Sequence, residues 1–130
     1  MSWIAPLADY LETQSLGTKG TNLFIGMMPD NTSLSTVLFS YDGEIVETMK
    51  SGIALYKPQL QVRVRGAKED YTTPYNRLLA IQTALSSIAN QTLGGVTYLR
   101  VRPTSNVNSL GQDTNLRFDF TVNFEVTYYE

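Results

Sequence analysis

The chain has 130 residues, 42% of them hydrophobic, which is the size of one ordinary domain with a single core. Charged residues make up only 17% and the net charge is -2, so no overall positive charge is present to hold nucleic acid. The sequence contains no cysteine and no histidine, which excludes disulfides, thiolate sites, ordinary zinc sites and imidazole catalysis. We therefore expect no enzyme, no cofactor and no metal, and a function that depends on contacts between surfaces.

The first half of the chain predicts one helix followed by short strands. The N-terminal segment has apolar residues at helical spacing and should end near Gly17. It lacks the continuous apolar run of a signal peptide or membrane span, so we expect a cytoplasmic protein without a membrane partner. Asn22 to Met28 and Thr36 to Tyr41 predict strands, and Asp42-Gly43 predicts a tight hairpin turn after the second.

The segment from Pro58 to Asn90 predicts a strand and then one long helix. The strand presents alternating polar and apolar residues, and Pro58 opens it, where a missing N-H is tolerated. Thr73 is a plausible helix cap and Pro74 a first-turn residue. The strand and helix should meet through their apolar sides to form the core, through Leu60, Val62, Val64, Leu78, Ile81, Leu85 and Ile88.

The last third of the chain predicts two strands separated by a loop. Val96 to Arg102 is the first strand, and the polar segment from Pro103 to Thr114 is the loop. Leu116 to Tyr128 then alternates strictly between apolar and polar residues, over about twice the usual length of a strand. This long strand should either bend at a bulge or extend beyond the domain to pair with something else.

Together these elements predict an α+β fold, as a single domain spanning residues 1–130. We expect a mixed, mostly antiparallel sheet, with the N-terminal helix and the long central helix packed on one face. One parallel strand pair could come from a right-handed crossover around the long helix.

Arginines and carboxylates on the opposite, polar side of the sheet are the best candidates for a functional surface. Arg63 with Arg65, and Arg100 with Arg102, are pairs two residues apart, so each pair projects from one side of its strand. Cross-strand ion pairs on a solvated face are one interpretation. Contact with another protein subunit is the other, and it is favoured over RNA binding because only Tyr98 and Tyr129 supply aromatic rings there. The candidate interface residues are Arg63, Arg65, Arg100, Arg102, Arg117, Asp119 and Glu125.

Other charged groups predict no chemistry. Asp42, Glu44 and Glu47 fall near one turn, and Glu69-Asp70 precedes the long helix, without the spacing of a calcium loop. Solvated or helix-capping roles are the more common use of such residues.

Three segments resemble a known family. They are P-x-L-Q-V-x-V-R-G at Pro58 to Gly66, D-Y-x-x-x-Y at Asp70 to Tyr75, and N-L-R-F-D-F-T-V-N-F-E-V at Asn115 to Val126. With the order of elements, they resemble the tail terminator, or tail-completion, proteins of long-tailed bacteriophages, often labelled minor capsid proteins. The resemblance implies a ring, usually of six copies, that caps the tail tube, stops its polymerisation and presents the surface that joins the head connector.

The resemblance also implies partners and a location. The partners are further copies of the chain, the tail tube protein and the head-completion or connector protein, and DNA passes through the channel without sequence-specific binding. The protein is expected in the tail or neck of the virion, after assembly in the host cytoplasm.

Two surfaces are hypotheses within this role. The ring interface would use the arginine face or the edge of the Leu116 to Tyr128 strand. The loop from Pro103 to Thr114 would meet an axial partner, since long polar loops are common binding elements. Its candidate residues are Ser105, Asn106, Asn108, Gln112 and Asp113.

Two other functions stay open at this point. A head-completion or stopper protein of the neck would share the size and the lack of chemistry. A small nucleic-acid-binding module would show an affinity that falls steeply with added salt. A hydrolase based on carboxylates, or a metal site of oxygen ligands, is less favoured because no suitable cluster is recognisable.

Overall fold

The computed structural model describes residues 3–30, 33–48 and 50–130. In chain order the elements are α1 (Ala5–Thr13), β1 (Leu23–Ile25), β2 (Ser35–Thr48), β3 (Ala54–Lys68), α2 (Thr72–Ser86), β4 (Ala89–Leu93), β5 (Val96–Pro103), β6 (Asn108–Gln112) and β7 (Arg117–Tyr129). The predicted α+β class, with two helices and a mixed sheet, is confirmed.

The seven described strands form one sheet in the order β1-β2-β3-β7-β5-β4, and β6 also pairs with β7. β1 and β2 are parallel, and the other strand pairs are antiparallel. The predicted parallel pair around the long helix is wrong. β3 and β5 run in the same direction on either side of α2 in sequence, but β7 lies between them and pairs antiparallel with both.

β7 is the long alternating strand, and it is paired along both edges inside the domain. β3 covers one edge, with partners from Arg117 to Tyr128. β6 and β5 share the other edge, β6 opposite Phe118 to Thr121 and β5 opposite Phe124 to Tyr129. Of the two alternatives for this strand, the extension beyond the domain is therefore wrong, and the described strands cover both of its edges.

The predicted hairpin turn at Asp42-Gly43 is also wrong, because β2 continues through it. The register with β3 shifts twice here: Ser40 lies opposite Leu60, but Ile45 lies opposite Lys57. Between these two pairs the chain advances five residues along β2 but only three along β3, so β2 contains a bulge with two extra residues. The chain reverses instead between Thr48 and Ala54, which face each other.

The bulge explains how Pro58 is tolerated inside a central strand rather than at its start. Pro58 is the fifth residue of β3 and has no Cα partner in the register with β2 or with β7. A proline removes one backbone donor, and here that donor falls where the ladder is already interrupted.

The predicted core is confirmed around β3 and α2. Leu60, Val62, Val64, Leu78, Ile81, Leu85 and Ile88 are all buried in one hydrophobic cluster. Alternate residues of β7 join it, from Phe120 through Val126 to Tyr128, and so do Leu7 and Leu11 of α1. Leu116 does not: it is 41% exposed, because it lies in the turn before β7 with a positive φ of 62°.

The long helix begins and ends differently from the prediction. Thr73 lies inside α2, and the N-cap residue is Tyr71, which makes no side-chain cap bond. The backbone N-H of Thr73 donates instead to Asp70 Oδ1 at 3.2 Å, so the side chain of Asp70, just before the N-cap, caps the first turn. α2 ends at Ser86 because residues 89–93 form β4. β4 and β5 are joined by Gly94-Gly95, both with positive φ, which is the backbone that a two-residue hairpin turn requires.

Candidate subunit interface on the polar sheet face

The seven predicted interface residues form two separate groups. Arg63, Arg65, Arg117 and Asp119 belong to one, and Arg100, Arg102 and Glu125 to the other. Between them lies an uncharged cross-strand pair, in which Gln61 Nε2 donates to Asn123 Oδ1 at 2.9 Å. The structure thus brings the members of each group together but does not join all seven in one patch.

The first group, which we call the buried arginine cluster, comprises Arg63, Arg65, Arg117, Asp30, Asp113 and Asp119. Arg117 lies between two carboxylates, with Nη1 at 2.8 Å from Asp30 Oδ1 and Nη2 at 2.8 Å from Asp113 Oδ2. Arg63 Nη2 lies 2.8 Å from Asp119 Oδ2. Arg65 Nη2 instead donates to a neutral group, the carbonyl oxygen of Pro29, at 2.6 Å.

These contacts attach the loop after β1 to the polar face. Pro29 and Asp30 both belong to that loop, and each is held by an arginine from the sheet. Sequence reasoning missed this role for Asp30, because nothing in the local pattern indicates which distant loop folds over the face. Arg65, Arg117 and Asp119 are buried by these contacts within the chain.

Arg65 is the least compensated cation of the cluster. Burial lowers its pKa from the ordinary value, and the nearby Arg117 lowers it further, against the opposing effect of Asp119, Asp30 and Asp113. For Arg117, burial also acts to lower the pKa, but hydrogen bonds to Asp30 and Asp113 outweigh it and hold the pKa above its ordinary value. The carboxylates of the cluster therefore stabilise the charged form of Arg117 more than that of Arg65.

Asp113 is held by the backbone as well as by a side chain. The backbone N-H of Arg117 donates to Oδ1 at 3.0 Å, and that of Asn115 donates to the same oxygen at 2.9 Å. The Arg117 backbone bond is the largest effect that lowers the pKa of Asp113, with the Arg117 guanidinium acting in the same direction. Asp113 thus fixes the turn between β6 and β7.

The two arginines of the second group, Arg100 and Arg102, form what we call the open arginine pair. Both approach one carboxylate oxygen, Glu125 Oε1, at 3.8 Å and 3.3 Å. Their side chains are 58% and 51% exposed. Two cations that share one anion leave net positive charge on this surface, so the open arginine pair is accessible to a partner.

Tyr98, predicted for the polar face beside these arginines, belongs to the core instead. The register of β5 against β7 shifts between Tyr98 and Arg100, so the two residues lie on opposite sides of the sheet. Tyr98 is fully buried, and its hydroxyl donates to the Trp3 carbonyl at 2.5 Å. Burial raises the pKa of this hydroxyl well above its ordinary value.

The predicted partner-binding loop from Pro103 to Thr114 is partly a strand, so the loop prediction is wrong for its second half. Asn108 and Gln112 are the first and last residues of β6. Ser105 and Asn106 precede it, and Asp113 follows. All residues of β6 are exposed, so the strand buries no apolar side that the sequence pattern could reveal.

The first half of that segment is an exposed turn with a fixed base. Thr104 N-H donates to the Asn123 carbonyl at 2.8 Å, and Asn123 N-H donates to Ser105 Oγ at 3.0 Å. With Gln82 of α2, residues 103–106 line an open cleft of about 360 Å³. This cleft presents hydroxyl and amide groups, which suits a polar protein contact.

In residues 3–30, 33–48 and 50–130, no three or more Asp or Glu side chains come together in a way that could hold a metal ion. Across the same part of the chain, neither helix is long and apolar enough to cross a membrane.

Comparison with known proteins gives one family and one fold. Residues 10–130 match the family model described as bacteriophage tail terminator protein. The structure is similar to a chain in the solved virion of a native gene transfer agent particle, with a TM-score of 0.70 and 14% sequence identity, over 97% of this chain and 93% of that one. At this identity the similarity shows a shared fold. No match was found among curated protein sequences.

Proposed function

Because the chain belongs to the bacteriophage tail terminator protein family, we propose that it forms a ring that caps the completed tail tube. The family match over residues 10–130 carries this proposal. The ring, of six copies, stops further polymerisation of the tube and presents the surface that the head connector joins. The chain acts as a structural protein without catalysis, assembled in the host cytoplasm and kept in the virion.

A ring requires a heterologous contact, in which two different surfaces of each copy meet. The sheet has two such surfaces at its ends. β4 is the last strand at one end, and at the other end β1 covers β2 only from Thr36 to Leu38. In the part of the chain that is described, no strand pairs with the outer side of β4, and after Leu38 none pairs with the side of β2 that faces away from β3.

We place the ring contact between these two ends. Exposed strand edges carry unpaired backbone groups that readily accept another strand, and a contact of the β4 end with the β2 end of the next copy would repeat around a ring. The open arginine pair lies on β5 beside β4, so it would flank this contact and select for an acidic neighbour. Ser105, Asn106, Asn108, Gln112 and Asp113 remain the proposed contact with an axial partner.

The test is assembly state, measured by sedimentation and light scattering on the purified protein, alone and with tail tubes. We expect a ring of defined mass in at least one of these conditions, and electron microscopy should show it at tube ends. A protein that stays monomeric with tubes and does not bind their ends would contradict the proposal. Binding to filled heads instead of tube ends would favour the neck stopper protein.

A charge-reversed variant tests the location of the contact. The double change Arg100→Glu and Arg102→Glu should prevent ring formation while the circular dichroism spectrum stays that of the wild type. Lys68→Glu is the matched control, because Lys68 is an exposed cation of β3 outside the open arginine pair. Normal rings from the double variant would exclude the β4 end as the contact.

A further inference from the structure

A cleft of about 310 Å³ lies between the loop that follows β1 and the polar face of the sheet. Its walls combine four apolar side chains with two guanidinium groups, from Met27, Met28, Val37, Phe39, Arg63 and Arg65. We call it the methionine-arginine cleft. The accessible lining is more polar than apolar, so a group bound here would meet the guanidinium groups first and the apolar side chains beside them.

The loop wall of the cleft is fixed at both ends and adaptable between them. At one end Gly26 N-H donates to the Leu38 carbonyl at 2.9 Å. At the other end Arg65 holds the Pro29 carbonyl. Between these anchors Met27 is 80% exposed. Methionine side chains are unbranched and flexible, so this wall can close on an incoming group without moving the loop.

The two arginines have donor groups without a partner among the described residues. Arg65 is only 8% exposed, yet its one described hydrogen bond goes to a neutral carbonyl. The Nε-H groups of Arg63 and Arg65 are buried and have no hydrogen-bond partner among the described residues. Because both Nε atoms are buried, an anion in the cleft would meet the terminal Nη groups, whose fork matches the two oxygens of a carboxylate.

We propose that the methionine-arginine cleft binds a carboxylate of a partner protein, with a neighbouring apolar side chain of that partner packed against Met27, Met28 and Phe39. This inference rests on the proposed function, since it assigns one of the protein contacts that a tail terminator makes. The carboxylate belongs either to an acidic side chain or to the C-terminus of the partner, and both present the same group to the two arginines.

A nucleic-acid phosphate fits the cleft less well than a peptide carboxylate. Four of the six lining side chains named above are apolar, and a sugar-phosphate chain offers little to cover them. The carboxylates of Asp119 and Asp30 lie beside the cleft arginines and would repel a chain of phosphates more strongly than a single carboxylate. One single negative charge next to an apolar group meets both features of the cleft.

Binding can be measured by NMR on the full chain, with the arginine Nε-H groups and ¹³C-labelled methionine methyl groups as reporters. The probe is acetyl-leucyl-aspartyl amide, and its neutral counterpart is acetyl-leucyl-asparaginyl amide. We expect the first to shift the Arg63 and Arg65 Nε-H and the Met27 and Met28 methyl signals saturably, with a dissociation constant on the order of millimolar. The Arg100 and Arg102 signals serve as internal controls and should move much less.

The outcomes are distinct. The asparaginyl probe should bind at least tenfold more weakly, and equal binding of both probes would overturn the proposal. N-acetylleucine, which carries a free terminal carboxylate, shows which of the two sources fits better. Inorganic phosphate or a short single-stranded DNA that binds as tightly as the aspartyl peptide would overturn the assignment to a protein carboxylate.

Variants keep the test independent of folding. Met27→Ala alters a surface side chain and should weaken the aspartyl probe by ~5-fold, because part of the apolar wall is lost. Leu110→Ala, an exposed residue of β6 outside the cleft, should leave binding unchanged. Arg63→Lys keeps the charge but removes the fork, and should weaken binding more than Met27→Ala.

The experiments distinguish a failure of the carboxylate-binding proposal from a failure of the ring proposal. If the wild type caps tail tubes but the cleft binds none of the carboxylate probes, the cleft assignment alone is wrong. If the aspartyl probe binds as expected but the protein neither forms rings nor binds tube ends, the ring proposal fails and the cleft remains a carboxylate site.

Discussion

Gly66 lies in β3 where the first turn of α2 comes closest to the sheet, and its replacement tests how tightly the two are packed. A Cβ atom at this position would lie 2.6 Å from Pro74 Cγ and 2.9 Å from the Asp70 carbonyl oxygen. Carbon atoms normally approach to about 3.5–4.0 Å, so either the strand or the helix start must move. The oxygen is a backbone atom of the residue whose side chain caps α2, and the proline ring has little freedom to rotate away.

The expected cost of Gly66→Ala follows from these two contacts. Overpacking typically destabilises by about 1–3 kcal/mol, and rigid neighbours place this site in the upper part of that range. Alanine also restricts the unfolded chain, which offsets about 0.4–1 kcal/mol. We therefore expect a net loss of roughly 1–2 kcal/mol in urea unfolding, with an unchanged slope and a lower midpoint.

A double-mutant cycle with Pro74→Ala isolates the contact. Removal of the proline ring deletes the 2.6 Å contact, so the double variant should be more stable than the sum of the single effects predicts, by about 1 kcal/mol. Effects that add within about 0.5 kcal/mol, or a Gly66→Ala midpoint equal to the wild type, would refute the packing argument.

Three further changes test the core and the polar groups, each by urea unfolding. Tyr98→Phe removes a buried hydroxyl donor and should lower the free energy of unfolding by about 1 kcal/mol. Burial raises the Tyr98 pKa above 10.0, so the unfolded chain loses this proton first as the pH rises. Above pH 10 the stability of the wild type should therefore fall more steeply than that of the variant. Ile81→Ala, at a fully buried position, should cost about 2–5 kcal/mol, whereas Leu79→Ala on the exposed side of α2 should cost less than about 1 kcal/mol. The backbone N-H of Arg117 lowers the Asp113 pKa below 3.8, so the stability that this carboxylate contributes is present above about pH 4 and lost as the pH falls further. Asp113→Asn should therefore show a weaker dependence on acid, and an unchanged acid transition would contradict this role.

The parts of the fold that the sequence predicts well are those with one buried side. β3, β7 and α2 each present apolar residues at the period of their own backbone, because one side of each must face the core. Their existence and their contribution to the core were therefore predictable. The exact ends were not, because the Asp70 side chain rather than Thr73 caps α2, and both residue types are common at helix caps.

β4 and β6, the strands that the sequence did not predict, have no side that is buried in the core. β6 is exposed along its length, and β4 has no fully buried residue, so neither shows an apolar alternation. Asp42-Gly43 is a typical turn dipeptide, but turn chemistry and bulge chemistry favour the same residues. Which of the two forms depends on whether the following residues pair with β3, and that is a long-range property.

The candidate site was predictable only in part, for the same physical reason. Strand periodicity places Arg63 and Arg65 on one side of β3, but it does not indicate that Pro29 and Asp30 fold over that side. Nor does it distinguish the buried arginine cluster from the open arginine pair. Both contain arginines two residues apart on a strand, and only the loop that covers the first makes their exposure different. Partner carboxylates and covering loops come from distant sequence, and a single sequence does not reveal them.

The position of β7 limits how copies of this chain can meet. A strand with both edges paired inside the domain offers a neighbour only its two faces, and one of these faces is the core. Backbone pairing between copies would thus use a strand edge that no described strand covers; at the two ends of the sheet these edges belong to β4 and to β1 with the part of β2 that β1 leaves uncovered, and β6 has a further one. Because these ends differ in length and sequence, a contact between them is heterologous, which is the kind of contact from which rings are built.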